Sequence, residues 1–428
     1  MTNTDRQSGV FRITPVSPIH IGSGEVLTPM DYVLDGKMYK VKDVRKYFED
    51  HIDDPDTAMK AVRDGLPLGP NYVRYELSFY GERPRNSTGT QGRSGGPPGR
   101  RADKPMFQAT QKLDPQMKKL MKQAQAKSGL PAAPPPPPDL PKDKGSEVRE
   151  FIKDPFGKPY IPGSSLKGCL RTALAFVLSE SVRPGPKVLN NIRSQRPERK
   201  EWLFTNTVNP LMFGRGATED VLKAFIVRDS APLEDFRQRF AMTHVKVMNI
   251  MQRNFEAKYG MPIYLESLMP GTGAIEIPFY VDLFRLKKDS ALAEVAGGRT
   301  VRLLQEGAEL SGALQAFSTA LIDHEIAFYR DQHANNAVSF FEGLRRTGAI
   351  HLDLGFGTGW NAKTVGLQLE DNELAAIRDQ YGRNREGKPN KNMGSPGHPV
   401  FPKTRKWAAT ANDGYRPMGW FRLEIDWK

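Results

Sequence analysis

The chain has 428 residues, more than one small core usually fills, so two domains of ordinary size are expected. Its single cysteine, Cys169, excludes an internal disulfide and a cysteine-based metal cluster, and it fits a reducing compartment. A formal net charge of +13 favours a polyanionic partner, nucleic acid before membrane; the polar start Met1–Gly9 and the lack of any run of about 18 apolar residues make a cytoplasmic protein with no membrane partner the expectation.

Alternating apolar residues predict half-buried strands over Val10–Thr14 and Tyr72–Tyr80, and helical spacing runs through Val41–Phe48. Directly after the first strand comes Pro18-Ile19-His20-Ile21-Gly22-Ser23-Gly24-Glu25. Gly22 and Gly24 let the backbone turn tightly and approach a phosphate, and a histidine there can serve as a general base on a ribose hydroxyl. A nuclease of that kind needs a second acid or base and a group that stabilises the phosphorane. Neither stands nearby, so a structural, hydrogen-bonded His20 is the favoured reading of the residues.

Asn86–Gly145 is rich in Gly and Ser, then polar, and closes in the run Pro134–Pro138. It holds eleven Lys or Arg against four Asp, so +7 of the +13 lies in this one segment. Its apolar content cannot offset its ordering entropy, and it reads as a disordered insertion with a short helical pattern over Asp114–Lys127 and a stiff polyproline exit. A solvated loop is the plainer role; a basic arm adding salt-dependent affinity for RNA is the sharper one.

Beyond the insertion, Ser164 reads as the N-cap of a helix whose apolar stripe is Leu166, Leu170, Ala173, Leu174 and Val177, with Lys167 and Arg171 on another face. The approach Pro162-Gly163-Ser164-Ser165-Leu166-Lys167-Gly168 offers free N–H groups, hydroxyls and a cation to an anion. It lacks the spacer and ending of a Walker A loop, and the Ser-x-x-Lys match lacks the companion elements of serine acylases. Further strands are predicted at Ala224–Val227, Ile263–Ser267 and Ile275–Val281, then helix over Thr300–Tyr329 and Ala337–Arg346, and a strand at His351–Leu354.

Gly355-Phe356-Gly357-Thr358-Gly359-Trp360 looks like a dinucleotide fingerprint, but its third glycine comes one place early and no βαβ surrounds it. As a loop beside Trp360, Asn361 and Lys363 it suits close approach of RNA backbone, with an indole for stacking. A Lys/Gly/Pro-rich region over Gly382–Arg405 follows, in which Phe401-Pro402-Lys403-Thr404-Arg405-Lys406-Trp407 sets basic residues between aromatics, and a strand at Trp420–Ile425 closes the chain. His351 with Asp353, and His324 with Glu325, lack a third ligand, so no metal and no cofactor is expected. Strands and helices mix without strict alternation, which predicts an α+β fold with a boundary near Ser230–Arg239: one domain over 1–235 carrying the insertion 86–145, and a second over 236–428.

In order along the chain, His20–Glu25, Ile161–Gly168 with Leu170–Ala173, Arg228-Asp229-Ser230, Gly355–Gly366, and Phe401–Arg405 with Gly419-Trp420 resemble the RAMP superfamily. The glycine-tryptophan block and the Pro402–Arg405 element narrow the resemblance to the fifth-subunit family of the Csm complexes of type III-A CRISPR systems. It covers nearly the whole chain except the insertion, which departs from the family pattern. The resemblance implies two ferredoxin-like, RRM-like βαββαβ domains whose glycine-rich loops touch RNA. It implies a non-catalytic subunit, one per complex, that caps a filament of backbone RAMP subunits at the 3′ end of the guide (crRNA) and supports its maturation or stability in antiviral defence. Its partners would be the crRNA, the backbone RAMP subunit, the small helical subunit and, indirectly, target RNA. The residues expected at RNA are His20, Gly22, Ser23 and Gly24; Gly163, Ser164, Ser165, Lys167 and Arg171; Gly355, Gly357, Gly359, Trp360 and Lys363; and Lys403 and Arg405. Two alternatives stand beside this: a metal-independent RAMP endoribonuclease that processes precursor crRNA with His20 as base, and a different RAMP subunit of a type III-A or III-B complex.

Overall fold

The computed structural model describes residues 6–63, 68–81, 147–194, 209–251, 254–257, 263–289, 297–381, 398–411 and 414–428. The basic insertion 86–145 and most of 382–405 fall outside them. The fold is mixed α+β and is built on two sheets.

The first sheet has five strands, β1 (Arg6–Pro15), β7 (Phe225–Val227), β11 (Ile275–Asp282), β12 (Ile350–Asp353) and β15 (Trp420–Trp427), in the order β12-β15-β1-β11-β7. Every neighbouring pair is antiparallel. Phe11 and Ile13 of β1 point to one face and are fully buried. Phe11 stacks on Phe279 at 4.1 Å and meets Phe225 edge-on at 6.2 Å, joining three strands through one aromatic cluster. The helix Gly163–Val182 lies between β1 and β7 in sequence, and the helices Gly297–Gln305, Gly307–Asp331 and Asn335–Arg346 lie between β11 and β12. Their stripes bury Leu166, Leu170 and Leu174 with Leu314, Phe317 and Leu321 in the same core, and Phe176 meets Phe317 at 5.4 Å.

The second sheet has ten strands, with the path β2 (Gly22–Leu27), β6 (Val148–Phe151), β10 (Ile263–Leu268), β8 (Phe240–Met251), β5 (Val73–Tyr80), β4 (Met38–Lys42) and β3 (Tyr32–Asp35). β9 (Asn254–Ala257) and β13 (Thr404–Ala409) also pair with β8, and β14 (Tyr415–Pro417) pairs with β13. Both sheets take strands from either side of residue 235, so the boundary expected there passes through both of them. On β10, the fully buried Glu266 accepts from the Phe151 N–H of β6 at 3.1 Å, from Lys153 Nζ at 2.7 Å and from the Tyr75 hydroxyl. The buried carboxylate is thus met on both oxygens, which is what makes its burial tolerable.

Three local expectations change. The helical spacing at Val41–Phe48 divides, because Val41 and Lys42 belong to β4; the Asp43 side chain then accepts from the Lys46 N–H at 3.0 Å and starts a separate helix, Val44–Asp50. Ser164 is not the N-cap: the long helix begins at Gly163 after Pro162, and Asp229 Oδ1 accepts from the Gly163 N–H at 2.8 Å. The run Thr300–Tyr329 is two helices interrupted at Glu306, where Gly307 lies against the Trp427 indole, 2.4 Å from where a Cβ would be.

Candidate nucleic-acid interface

β1 ends at Pro15, and the next residues are laced to the turn that leads into β15. Val16 and Ser17 donate to the Trp420 carbonyl at 2.9 and 3.1 Å, Ser17 Oγ accepts from the Trp420 N–H at 2.9 Å, and Gly419 donates to the Pro18 carbonyl at 2.8 Å. Leu354 donates to the Gly419 carbonyl at 2.9 Å, and Phe356 donates to the His20 carbonyl at 2.8 Å. Segments from the start, the last third and the end of the chain therefore meet at one place. Gly355 makes the approach possible: at φ 86° a Cβ would stand 2.2 Å from the His20 carbonyl oxygen.

The Gly22–Gly24 segment is exposed beside this junction. Its pairing with β6 shifts register between Gly22 and Val26, and the Ser23 hydroxyl accepts from the Glu25 N–H at 3.0 Å within the irregularity. The ring of Phe356, half-buried, meets the His20 ring edge-on at 6.1 Å. The Arg149 guanidinium lies 5.0 Å and Lys406 Nζ 4.7 Å from its centroid, while Lys363 Nζ donates to the Gly355 carbonyl at 3.2 Å. Burial lowers the Lys406 pKa, and the charges of Lys363 and Arg149 lower it further. Among the described residues no carboxylate forms an ion pair with any of the three. Two cations over an aromatic ring and a third on the neighbouring Gly355 carbonyl, none of them held in an ion pair, form a surface suited to a phosphate chain. Arg149 lies outside every motif singled out by sequence, since a basic residue on an alternating strand has the signature of any solvated face; Phe356 and Lys406 stand inside two of the quoted motifs but outside the set of residues expected at RNA.

His20 is corrected from surface contact to support. It is 2% exposed, its Nδ1 is 2.7 Å from the Glu266 carbonyl oxygen, and burial pushes its pKa down to about 4. His324 and His351 are lowered as well, with burial the largest cause for both. Unfolded histidines take up protons near pH 6.5, whereas folded His20 does so only near pH 4, so the stability these residues contribute is full above pH 6.5 and lost as pH falls from there toward 4. Urea unfolding midpoints will therefore be lower at pH 5 than at pH 7.5; equal midpoints would mean that these rings are solvated in the folded protein.

The cations of the second predicted group are committed internally. Lys167 Nζ donates to the Leu222 carbonyl at 2.7 Å, and Arg171 pairs with Asp220 at 2.5 Å while its guanidinium lies 4.2 Å from the Phe213 ring centroid. Gly163 is required by packing, as its Cβ would fall 2.3 Å from the Val227 carbonyl oxygen. With Asp229 at the Gly163 N–H and Ser230 Oγ accepting from the Ile161 N–H at 2.9 Å, the Arg228-Asp229-Ser230 motif clasps the start of the helix. Ser164 is exposed and Ser165 half-buried.

In the third group, Gly357 and Gly359 have φ of 97° and 74°, and Gly359 is exposed. Trp360 is half-buried, edge-on to Phe401 at 5.1 Å. Lys403 is half-buried, and its carbonyl accepts from the Ile250 N–H at 3.3 Å. Arg405 is corrected outright: it is buried, holds Glu325 through two bonds of 2.7 and 2.8 Å, donates to the Pro402 and Thr404 carbonyls, and lies 3.9 Å from the Phe328 ring centroid. Among the described residues no cluster of three or more His, Cys, Asp or Glu is placed to hold a metal ion, and no helix is long and apolar enough to cross a membrane.

Curated relatives and solved structures agree on where this chain belongs. A protein of Methanocaldococcus jannaschii described as "CRISPR system Cms protein Csm5" is 24% identical over 299 residues, 66% of each chain. Proteins of the same description from Mycobacterium tuberculosis and Streptococcus thermophilus are 27% and 25% identical, over 56% and 63% of this chain and 57% and 62% of their own. The chain thus matches just under two thirds, or less, of the length of these relatives. In fold it is similar to a chain in the cryo-EM structure of a Csm–crRNA–target RNA ternary complex of a type III-A CRISPR-Cas system, with TM-score 0.60 and 23% identity over 97% of this chain and 100% of that one. The crystal structure of T. onnurineus Csm5 gives TM-score 0.57 and 20% identity over 96% of this chain and 100% of that one. The family model for the RAMP superfamily matches residues 12–362, and the chain belongs to that superfamily.

Proposed function

We propose that this protein is a non-catalytic, RNA-binding subunit of a type III-A Csm complex in the cytoplasm, seated at the 3′ end of the crRNA where it caps the filament of backbone RAMP subunits. The observation that carries the reading is the junction of the His20–Ile21 backbone, which leads into exposed Gly22–Gly24, with the Gly355-Phe356 turn, beside Arg149 and Lys406 over the Phe356 ring and Lys363 on the Gly355 carbonyl. Backbone amides and cations at that face hold phosphates, and phosphate contacts carry no base information, so recognition is by position along the guide and not by its sequence. The names of the relatives and the fold shared with a chain of a Csm–crRNA complex support the assembly. We read the strands β15-β1-β11-β7, with their intervening helices, as the ferredoxin-like unit, since they follow the order βαββαβ. The backbone subunit and the small helical subunit are the protein neighbours in this reading.

Arg149→Glu with Lys406→Glu will weaken binding of single-stranded RNA by roughly ten- to a hundredfold and flatten the salt dependence by about 1.4 in log–log slope, the share of two phosphate contacts. Purified complexes with this variant will carry shortened or under-occupied guides. Unchanged guide length, occupancy and salt slope would refute the assignment. The alternative, an endoribonuclease with His20 as base, has a specific weakness: the ring is buried and bonded to the chain beneath it. Metal-free incubation with repeat RNA decides between them, since specific cleavage that disappears in His20→Ala would establish the nuclease.

A further inference from the structure

One turn of the molecule holds an aromatic ring out in water on a rigid frame. Asp154-Pro155-Phe156-Gly157 follows β6 and lies within the antiparallel bridge of Lys153 with Pro159. The Gly157 N–H donates to the Asp154 carbonyl at 2.9 Å, and the Asp154 N–H donates to the Lys158 carbonyl at 2.8 Å. Asp154 Oδ1 accepts from the N–H groups of Phe156 and Lys158 at 2.9 and 2.8 Å. Pro155 presets one backbone angle, and Gly157 at φ 79° takes the left-handed conformation that completes the turn. At its base the Leu233 N–H donates to the Pro159 carbonyl at 2.7 Å, and Lys158 Nζ pairs with Glu234 at 2.8 Å. The backbone of Phe156 is thus fixed, yet Phe156 is 88% exposed, the most exposed large apolar residue among those described. Removing a phenyl ring from water is favourable, and a ring already carried on a fixed backbone loses little further freedom when it docks.

The charges around the turn select the partner. Lys153 Nζ lies 2.7 Å from a Glu266 oxygen and 2.8 Å from Glu150, Arg74 meets Glu150 at 2.8 Å, and Lys158 is taken by Glu234. These cations are each held by a carboxylate, the reverse of Arg149 and Lys406 at Phe356. A phosphate chain drawn to Phe156 would therefore find no uncompensated charge among them, whereas an apolar pocket on a protein needs none. A second copy of this chain is a poor host in the cleft between the Gly357–Ala362 loop and the start of β13, where there is room for one or two water-sized groups and not for a phenyl ring.

We infer that Phe156 is an anchor by which this subunit inserts into an apolar pocket, one phenyl ring wide, on a neighbouring protein subunit of the assembly. The inference rests on the assembly proposed above and deepens it by naming the contact.

Biolayer interferometry of the full-length protein against the Csm complex assembled on crRNA without this subunit tests it. Phe156→Ala will weaken binding to that sub-complex about ten- to a hundredfold, the range of an interface anchor. Its urea midpoint, and the affinity of the free protein for single-stranded RNA, will stay those of the wild type, because the ring touches little of its own chain. Phe156→Leu keeps apolar bulk and will lose less. Unchanged affinity of Phe156→Ala for the sub-complex overturns the anchor and leaves the assembly and RNA-binding readings standing. A matching loss of single-stranded RNA affinity in the free variant makes the ring a base-stacking platform and overturns the inference as well. So does a wild-type dimer that Phe156→Ala dissolves, which places the ring in a second copy. A wild-type protein that does not join the sub-complex removes the assembly reading itself, and this inference with it.

Discussion

Arg405→Ala will cost about 3–5 kcal/mol of folding stability, a large part of the roughly 5–15 kcal/mol that a protein of this kind possesses. The size of the effect comes from what stays behind. Glu325 receives two short bonds from this guanidinium in a buried setting. Without Arg405 the Glu325 carboxylate keeps its burial and loses its cation. The carbonyls of Pro402 and Thr404 lose donors at 3.0 and 3.1 Å, and the Phe328 ring loses the plane stacked against it. Glu325→Leu with Arg405→Met removes both charges and fills the volume, and it will cost far less than Arg405→Ala, because replacing a buried pair by apolar side chains is often close to neutral. Urea unfolding of the two variants makes the comparison. If Arg405→Ala lost under 1 kcal/mol, the guanidinium would have to reach water in solution and become available to a ligand at the surface.

Arg405 also shows where reading the chain by residue type stops. In sequence it stands between aromatics in a basic cluster, the pattern of a nucleic-acid contact, and nothing local reveals that Glu325, eighty positions away, neutralises it. Lys167 and Arg171 share that history, each bound to the 220–222 segment that the chain brings back against the helix. Helices were legible because their apolar stripes face one core; Leu166, Leu170 and Leu174 are all buried as their spacing requires. β8 was not, because strands pair along both of its edges and Phe240 to Val245 are all buried, leaving no alternation to read. Glycines announce that something comes close without saying what. The carbonyl of Val227 against Gly163, the carboxylate of Asp353 against Gly419 and the carbonyl of His20 against Gly355 are facts of long-range topology.

Gly355→Ala will therefore be the most damaging single change in the glycine loops, with about 2–6 kcal/mol of stability lost and RNA binding lost with it. Two costs add. A side chain at φ 86° carries backbone strain of roughly 1–3 kcal/mol. Its Cβ would stand 2.2 Å from the His20 carbonyl oxygen and 3.0 Å from the carbonyl carbon, backbone atoms held by the Nδ1 contact of the same residue, so relief requires the loops to separate at an overpacking cost of about 1–3 kcal/mol. Separation breaks the Phe356 N–H bond to the His20 carbonyl and shifts Phe356 with the two cations around it. Gly359→Ala is the control: its φ of 74° imposes comparable strain, but no atom lies within 4 Å of the added Cβ. That variant will lose only the strain share of stability and will keep its affinity for phosphate. Paired urea melts and RNA titrations of the two variants separate strain from collision. Equal losses in both would mean that the junction of the two glycine loops yields without resistance and does not fix the geometry of the face.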